Sequence, residues 1–200
     1  MAAVAIQPSS IQQFLSYLTA YAGFLYLMIA LILAPANLLK GRPFGLSNKL
    51  RRNFGIWASV FAIAHVGAGL MVHFGGRWWL YFIQPVSENK LLPIRYDFFG
   101  AANYLGLIAI IVFCVLLAIS NNASIKRFGP VRWKRIQQLS YPLLVITFVH
   151  GIIYQFLEQR LLIFILTLAV GFCAVLIFQV KGAITRSKTS SNGIASSPLK

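Results

Sequence analysis

The stretch "FFGAANYLGLIAIIVFCVLLAIS", residues 98–120, contains no Asp, Glu, Lys or Arg. A bilayer core of about 30 Å needs about 20 predominantly apolar residues of helix, and this run supplies them in one piece. It therefore reads as a transmembrane helix, which decides the class of the chain. Working outward, four further apolar runs of comparable length occur near 12–35, 54–74, 137–157 and 160–180. The run 54–74 is the weakest, because histidines and glycines interrupt it. The expected fold is all-α: a polytopic membrane helical bundle of five transmembrane helices filling residues 1–181, with a disordered cytoplasmic tail over 182–200. The widest gap between runs, 75–97, is too short for a separate soluble domain.

Composition agrees. The 200 residues are 58% hydrophobic and 10% charged, with mean hydropathy +0.75, whereas soluble domains carry about a quarter charged residues. Eighteen Lys and Arg face three acids, Glu88, Asp97 and Glu158, giving a net charge of +15. A nucleic-acid binder carries such charge on a soluble surface. Here the cations sit between apolar runs, which points to lipid headgroups and away from nucleic acid. Cys114 and Cys173 fall inside apolar runs and read as small buried hydrophobes, not as a disulfide or zinc framework. The first run has no preceding positive residue and is too long for a signal-peptide core, so it is expected to be a retained span.

The cations also orient the spans. Loops 36–53 and 121–136 carry five each (Lys40, Arg42, Lys49, Arg51 and Arg52; Lys126, Arg127, Arg132, Lys134 and Arg135), and the tail from Lys181 carries four. The alternate loops hold three (Arg77, Lys90 and Arg95) and one (Arg160), together with all three acids. This alternation predicts an N-terminus outside and a C-terminus in the cytoplasm. Trp78, Trp79 and Tyr81 then form an aromatic cluster at the outer interface.

Three histidines stand within or beside apolar runs: His65, His73 and His150. An ionisable group at membrane depth is costly and is by default a sign of function. His65 and His73 are eight residues apart on one helix, about 12 Å along the axis and about 80° around it. They cannot share a metal ion, and His73, beside Phe74, reads as an edge residue. His65 lies 13 residues beyond Arg52, and His150 lies 15 beyond Arg135. That difference is about 3 Å in depth, so two imidazoles on two parallel helices reach the same level.

A haem with two histidine ligands requires this: one neutral nitrogen from each helix on opposite faces of a planar iron porphyrin. Ala62, Ala64, Gly67, Gly69 and Gly151 leave room for a flat ring, and equally allow close helix packing. Zinc wants more ligands than these, and a proton relay would recruit carboxylates, which are missing at that depth. From residue geometry two readings stand at this point: a haem, or a polar helix contact or proton path in a cofactor-free membrane protein.

"RRNFGIWASVFAIAH" (51–65) and "VRWKRIQQLSYPLLVITFVHG" (131–151) together resemble the ferric-reductase-like transmembrane superfamily. The likeness rests on the Arg-Arg, Gly, Trp and His order of 51–65 and on "LLAIS" with the basic loop at 116–135. It rests also on the Arg-Trp-Lys-Arg, Leu, Tyr and His order of 132–150. It covers residues 37–160 and is most similar to the MsrQ/YedZ subfamily, the haem-binding membrane subunit of the bacterial methionine sulfoxide reductase system. The resemblance implies a b-type cytochrome in a bacterial inner membrane, with His65 and His150 as the axial ligands of the haem iron. Electrons would come from a cytoplasmic flavin reductase or the quinol pool, and pass to a periplasmic molybdenum-containing reductase. FMN would be held by the partner or bound directly, and ferric iron or a quinone is the alternative acceptor.

The sequence departs from the family in two places. Gln137 stands where the family has a histidine 13 residues before the second ligand, and Arg51 to Asn53 occupy the place of its counterpart on the earlier helix. One haem b is therefore expected, not two. The family has six spans and five are expected here. No nicotinamide or flavin domain follows the fifth, so the expectation is an electron-transfer subunit with a separate donor. Arg77, Arg95, Trp78 and Tyr96 are candidate partners for haem propionates, or plain interfacial anchors. Tyr104 and Tyr141 would bond a propionate or bridge helices. Arg132, Lys134 and Arg135 would set topology, or dock an acidic reductase or a flavin phosphate.

Overall fold

The computed structural model describes residues 11–41, 44–84, 93–160 and 162–195, the side chains of 44–47 and 189–195 excepted. Arg42, Glu88 and Lys90, used in the charge reading above, lie outside the described residues. Among the described residues six helices follow one another: α1 (Ile11–Leu39), α2 (Phe44–Gly69), α3 (Phe98–Ala118), α4 (Asn122–Gln137), α5 (Ser140–Leu157) and α6 (Leu162–Ala195). A short 3-10 turn, Trp78–Tyr81, lies between α2 and α3. Among the described residues there is no strand, only an isolated bridge between Ile83 and Ile94 that closes the α2–α3 connection. The all-α expectation is met.

Among the described residues, four helical stretches are long and apolar enough to cross a membrane: Ile11–Leu39, Phe98–Ala118, Asn122–Leu157 (α4 and α5 together) and Leu162–Lys188. The fifth expected span behaves differently. Its helix, α2, begins ten residues earlier than the apolar run and stops at Gly69, and residues 70–76 form turns. Lys49, Arg51 and Arg52 sit in its first half, which dilutes the apolar character of a helix long enough to cross.

Residues 121–136 contain a helix where a loop was expected. Asn121 caps α4 by accepting the Ser124 N–H at 2.8 Å, and Lys134 and Arg135 fill its last turn, where cations favour the helix dipole. Gly129 (φ 73°) and Pro130 kink it in the middle. At the other end of the chain α6 continues to Ala195, through a segment expected to be a disordered tail. No proline interrupts it before Pro198, and residues 196–200 lie outside the described residues.

Five helices meet in one core. Phe24, Leu27 and Leu31 of α1, Ala58 of α2, Ala109 and Phe113 of α3, Leu143 and Leu144 of α5, and Leu168 and Val175 of α6 form a single buried cluster. Phe148 and Phe172 stack beside it at 4.3 Å between centroids. The opposite faces of these helices expose Leu18, Ile111, Val170 and Ile177, each at least half exposed. In water such a surface would aggregate; against acyl chains it is the required outer face. Cys114 and Cys173, expected to be buried, belong to that outer face, since both are exposed. A thiol is small and apolar enough for either side.

Pro35 shows how α1 and α6 lock together. Lacking an N–H, proline leaves the carbonyl four residues earlier without its helical partner. That carbonyl belongs to Leu31, and Gln179 of α6 donates its Nε2–H to it at 2.7 Å. Gly182, one turn further along α6, lets the helix approach Pro35: a Cβ there would lie 2.7 Å from the proline Cβ. From α2, Arg51 donates its Nε–H to the neighbouring Ala30 carbonyl at 3.1 Å.

Candidate cofactor site

A cavity of about 460 Å³ opens among α1, α2, α3 and α5, and all three histidines line it. Its apolar wall is built from Phe24, Leu27, Ala109, Phe113 and Leu168, so it is continuous with the core. Ligand sites are commonly apolar cavities of this size with a few placed polar groups.

The deeper polar level is the pair His65 and His150, whose rings stand 6.3 Å apart between centroids at an interplanar angle of 79°. Each is held by a backbone carbonyl of another helix. His65 Nδ1 lies 2.9 Å from the Ser16 carbonyl of α1, with the Ser16 hydroxyl at 3.3 Å. His150 Nδ1 lies 2.7 Å from the Ala102 carbonyl of α3. A carbonyl only accepts, so each Nδ1 carries the proton and each Nε2 keeps its lone pair. Neither Nε2 has a hydrogen-bond partner among the described residues.

Two neutral imidazoles with free Nε2 atoms and carbonyl-fixed Nδ1 protons are the usual state of histidine metal ligands. Two histidines bound to opposite sides of one ion at about 2 Å each would have centroids roughly 6 Å apart, which matches the observed spacing. Gly106 on α3 makes the His150 position possible, because a Cβ there would stand 2.9 Å from His150 Cε1. Among the described residues no group of three or more His, Cys, Asp or Glu forms a conventional metal cage.

The second level lies toward the end of α5. His73 Nε2 is 3.4 Å from Glu158 Oε1, and its ring packs edge-on against Phe99 at 5.5 Å. Tyr17 donates to Glu158 Oε2 at 2.6 Å, and Arg160 donates Nε–H and Nη2–H to the same oxygen at 3.0 and 2.6 Å. Burial works against ionising Glu158, but these donors and the Arg160 charge outweigh it and hold the carboxyl at about 2. Gln159, with φ 48°, turns the chain between Glu158 and Arg160 and brings both back to the cavity. His73, expected at the edge of its span, is a third exposed and lines the cavity as well.

Of the proposed propionate partners, only Trp78 lines the cavity. Arg77 donates to its own loop at the Phe74 carbonyl, and Tyr96 is exposed. Arg95 is paired with Asp97, bonded to the Leu80 carbonyl, and stacked over Phe99 at 4.7 Å. Asp97 in turn caps α3 through the Gly100 N–H; despite some desolvation, this bond and Arg95 hold its carboxyl below the usual range. Tyr104 bonds the Phe82 carbonyl, tying α3 to the α2–α3 connection, and Tyr141 reaches Gln179 at 3.5 Å.

The residues that sequence reasoning missed are Ser16, Ala102, Gly106, Glu158 and Arg160. Two of these act through backbone carbonyls and leave no side-chain signature. Glu158 was visible as spacing: it follows His150 by eight residues, as His73 follows His65, so the two pairs repeat at the same interval. Residues 19–148, more than half of the chain, match the family model described as "Ferric reductase like transmembrane component". The match includes His65 and ends two residues before His150. No solved structure matches the chain.

Proposed function

Because the chain belongs to the ferric reductase-like transmembrane component family, a family of membrane electron-transfer proteins, we propose that it is a b-type cytochrome subunit holding one haem b between His65 and His150. The observation that carries this reading is the pairing of two cavity-lining imidazoles at 6.3 Å, each with Nδ1 bonded to a backbone carbonyl. Nε2 of each, one from α2 and one from α5, would hold the haem iron. When bound, the haem supplies one-electron chemistry at a potential tuned by its axial ligands and surroundings. The protein fixes both ring tautomers, keeps the iron side of the cavity dry with Phe24, Phe113 and Leu168, and admits the His150 ring at Gly106.

A single haem is favoured by what stands where an inner pair would be. Arg51 is committed to the Ala30 carbonyl, and the carbonyl of Gln137 accepts from Ser140 where α5 begins. In this reading α2 is a fifth crossing, because it carries His65 to the level of His150 on a helix that crosses. The loop charges support an N-terminus outside and a C-terminus in the cytoplasm, and the subfamily likeness suggests a bacterial inner membrane.

Electrons enter from a cytoplasmic flavin reductase, carrying FMN, or from quinol, and leave toward an acceptor on the outer face. A periplasmic methionine sulfoxide reductase is the partner that the subfamily likeness suggests. The basic segment Arg132, Lys134 and Arg135, exposed on α4, suits an acidic donor protein.

The test is the redox spectrum of the full chain purified in detergent from cells supplied with haem. A Soret band, a sharp α band on dithionite reduction and one haem per chain are expected. Purified, folded protein with no such bands would sink the reading and leave the histidines as helix contacts.

A further inference from the structure

The histidine pair accounts for the deeper level of the cavity but not for the cation at its other end. Arg160 lines the cavity with its side chain only 11% exposed. A guanidinium has five N–H donors in a fork suited to a two-oxygen acceptor. Arg160 directs two of them, Nε–H and Nη2–H, to one oxygen of Glu158 and also faces the Tyr21 hydroxyl, so part of its five-donor fork is left over. Its flat face lies over the Tyr17 ring at 3.6 Å, so the group is held in place with donor capacity left over.

A second, independent observation lies one turn earlier. Gln155 lines the same cavity and is 3% exposed; its Nε2 donates to the Tyr21 hydroxyl at 2.9 Å, and its Oε1 is buried without a partner. The amide can also take the reverse arrangement, with Tyr21 donating to its oxygen and the NH2 left over. In either arrangement one end of a buried amide awaits a partner, and native structures rarely leave such a group alone.

The charge at this end selects the partner. A metal cation is disfavoured by the guanidinium and by the lack of a ligand cluster among the described residues. A group with oxygen acceptors and negative charge fits both Arg160 and the reversed Gln155 amide. Glu158 follows His150 by eight residues, about 12 Å along a helix axis, which is the scale of one large planar ligand.

We infer that Arg160 and Gln155 form the carboxylate-binding end of the cavity, receiving a propionate of its occupant, with Glu158 as the internal carboxylate that competes for the same guanidinium. The inference rests on the haem reading above, and moves the propionate contact from Arg77 and Arg95 to a residue of the α5–α6 turn.

The experiment compares haem with haem dimethyl ester, which has the same iron and ring but no charged carboxylates. Each is titrated into the full chain, purified in detergent without haem, and followed in the Soret region. Wild type should bind haem more tightly than the ester by about tenfold or more, the scale of hydrogen bonds to a charged group. In Arg160→Gln the preference should shrink to about threefold or less, with the spectrum of two histidine ligands retained. Gln155→Leu should narrow it in the same direction and by less, and serves if Arg160→Gln does not fold. Equal binding of both porphyrins by wild type, or an Arg160→Gln ratio equal to wild type, overturns the inference while the haem reading stands. If neither porphyrin gives a two-histidine spectrum, the haem reading falls and the inference with it.

Discussion

At the deeper level of the cavity, His65 and His150 each direct Nδ1 to a backbone carbonyl, at 2.9 and 2.7 Å. One level further along, His73 directs Nε2 to a carboxylate oxygen of Glu158 at 3.4 Å. The same side chain thus appears in two states of availability. A carbonyl fixes the proton on Nδ1 and leaves the ligand atom free; a carboxylate engages that atom itself. Depth in the membrane does not distinguish the three histidines so well as the partner of the second nitrogen does.

The largest expected effect tests that distinction directly. His65→Ala and His150→Ala should each abolish the α band of the reduced protein at saturating haem, whereas His73→Ala should keep it. Loss of the band in His73→Ala, with either of the others retaining it, would reverse the roles of the two levels. A smaller effect is expected when the deeper level is disturbed from behind. Gly106→Ala puts a methyl 2.9 Å from His150 Cε1 and 3.2 Å from Nδ1, and overpacking of this kind costs about 1–3 kcal/mol. Haem affinity by Soret titration should fall roughly tenfold or more. An unchanged affinity would mean that His150 is not held against α3.

The second level is sharpened by acid. The Glu158 carboxyl titrates near 2 in the folded protein against an ordinary value of 4.5. A depressed carboxyl stabilises the fold fully above the unfolded value, and that contribution is lost as pH falls toward 2. Wild type should therefore exceed Glu158→Gln in thermal stability at neutral pH, and the two should converge between pH 4.5 and about 2. A gap that stays constant over this window would show that the carboxylate charge is not what holds the cluster. The smallest effect belongs to Ser16→Ala. Its hydroxyl is the longer of two contacts to His65 Nδ1, at 3.3 Å, and the carbonyl at 2.9 Å remains. Haem affinity should change by less than about 1 kcal/mol, and a larger loss would promote the hydroxyl to the main support.

Much of this fold can be read in the sequence because apolar length and loop charge are one-dimensional signals. The runs around α1, α3, α5 and α6 stand out by hydropathy alone, and counting from Arg52 and Arg135 brings out the common level of His65 and His150. Less visible was α4, whose Gly129-Pro130 step and basic composition read as a loop; the Asn121 cap and the cations of the last turn were the available signals. The carbonyls of Ser16 and Ala102 carry no residue-specific mark, so the supports of the two imidazoles appear only once α1 and α3 are placed. Arg160 was taken as a topological charge, because sequence distance does not show that the turn at Gln159 sends it back into the cavity.

The bond between Gln179 and the Leu31 carbonyl spans 148 residues of chain, and that separation has a consequence in time. A ribosome makes the acceptor long before the donor, so α1 enters the bilayer with a carbonyl that proline has stripped of its partner. Until α6 arrives, that oxygen must borrow a donor from water, from another helix or from the insertion machinery. Completion of the last helix therefore seals a polar defect left in the first, and a nascent chain halted before residue 179 would display that defect to whatever inspects unfinished membrane proteins.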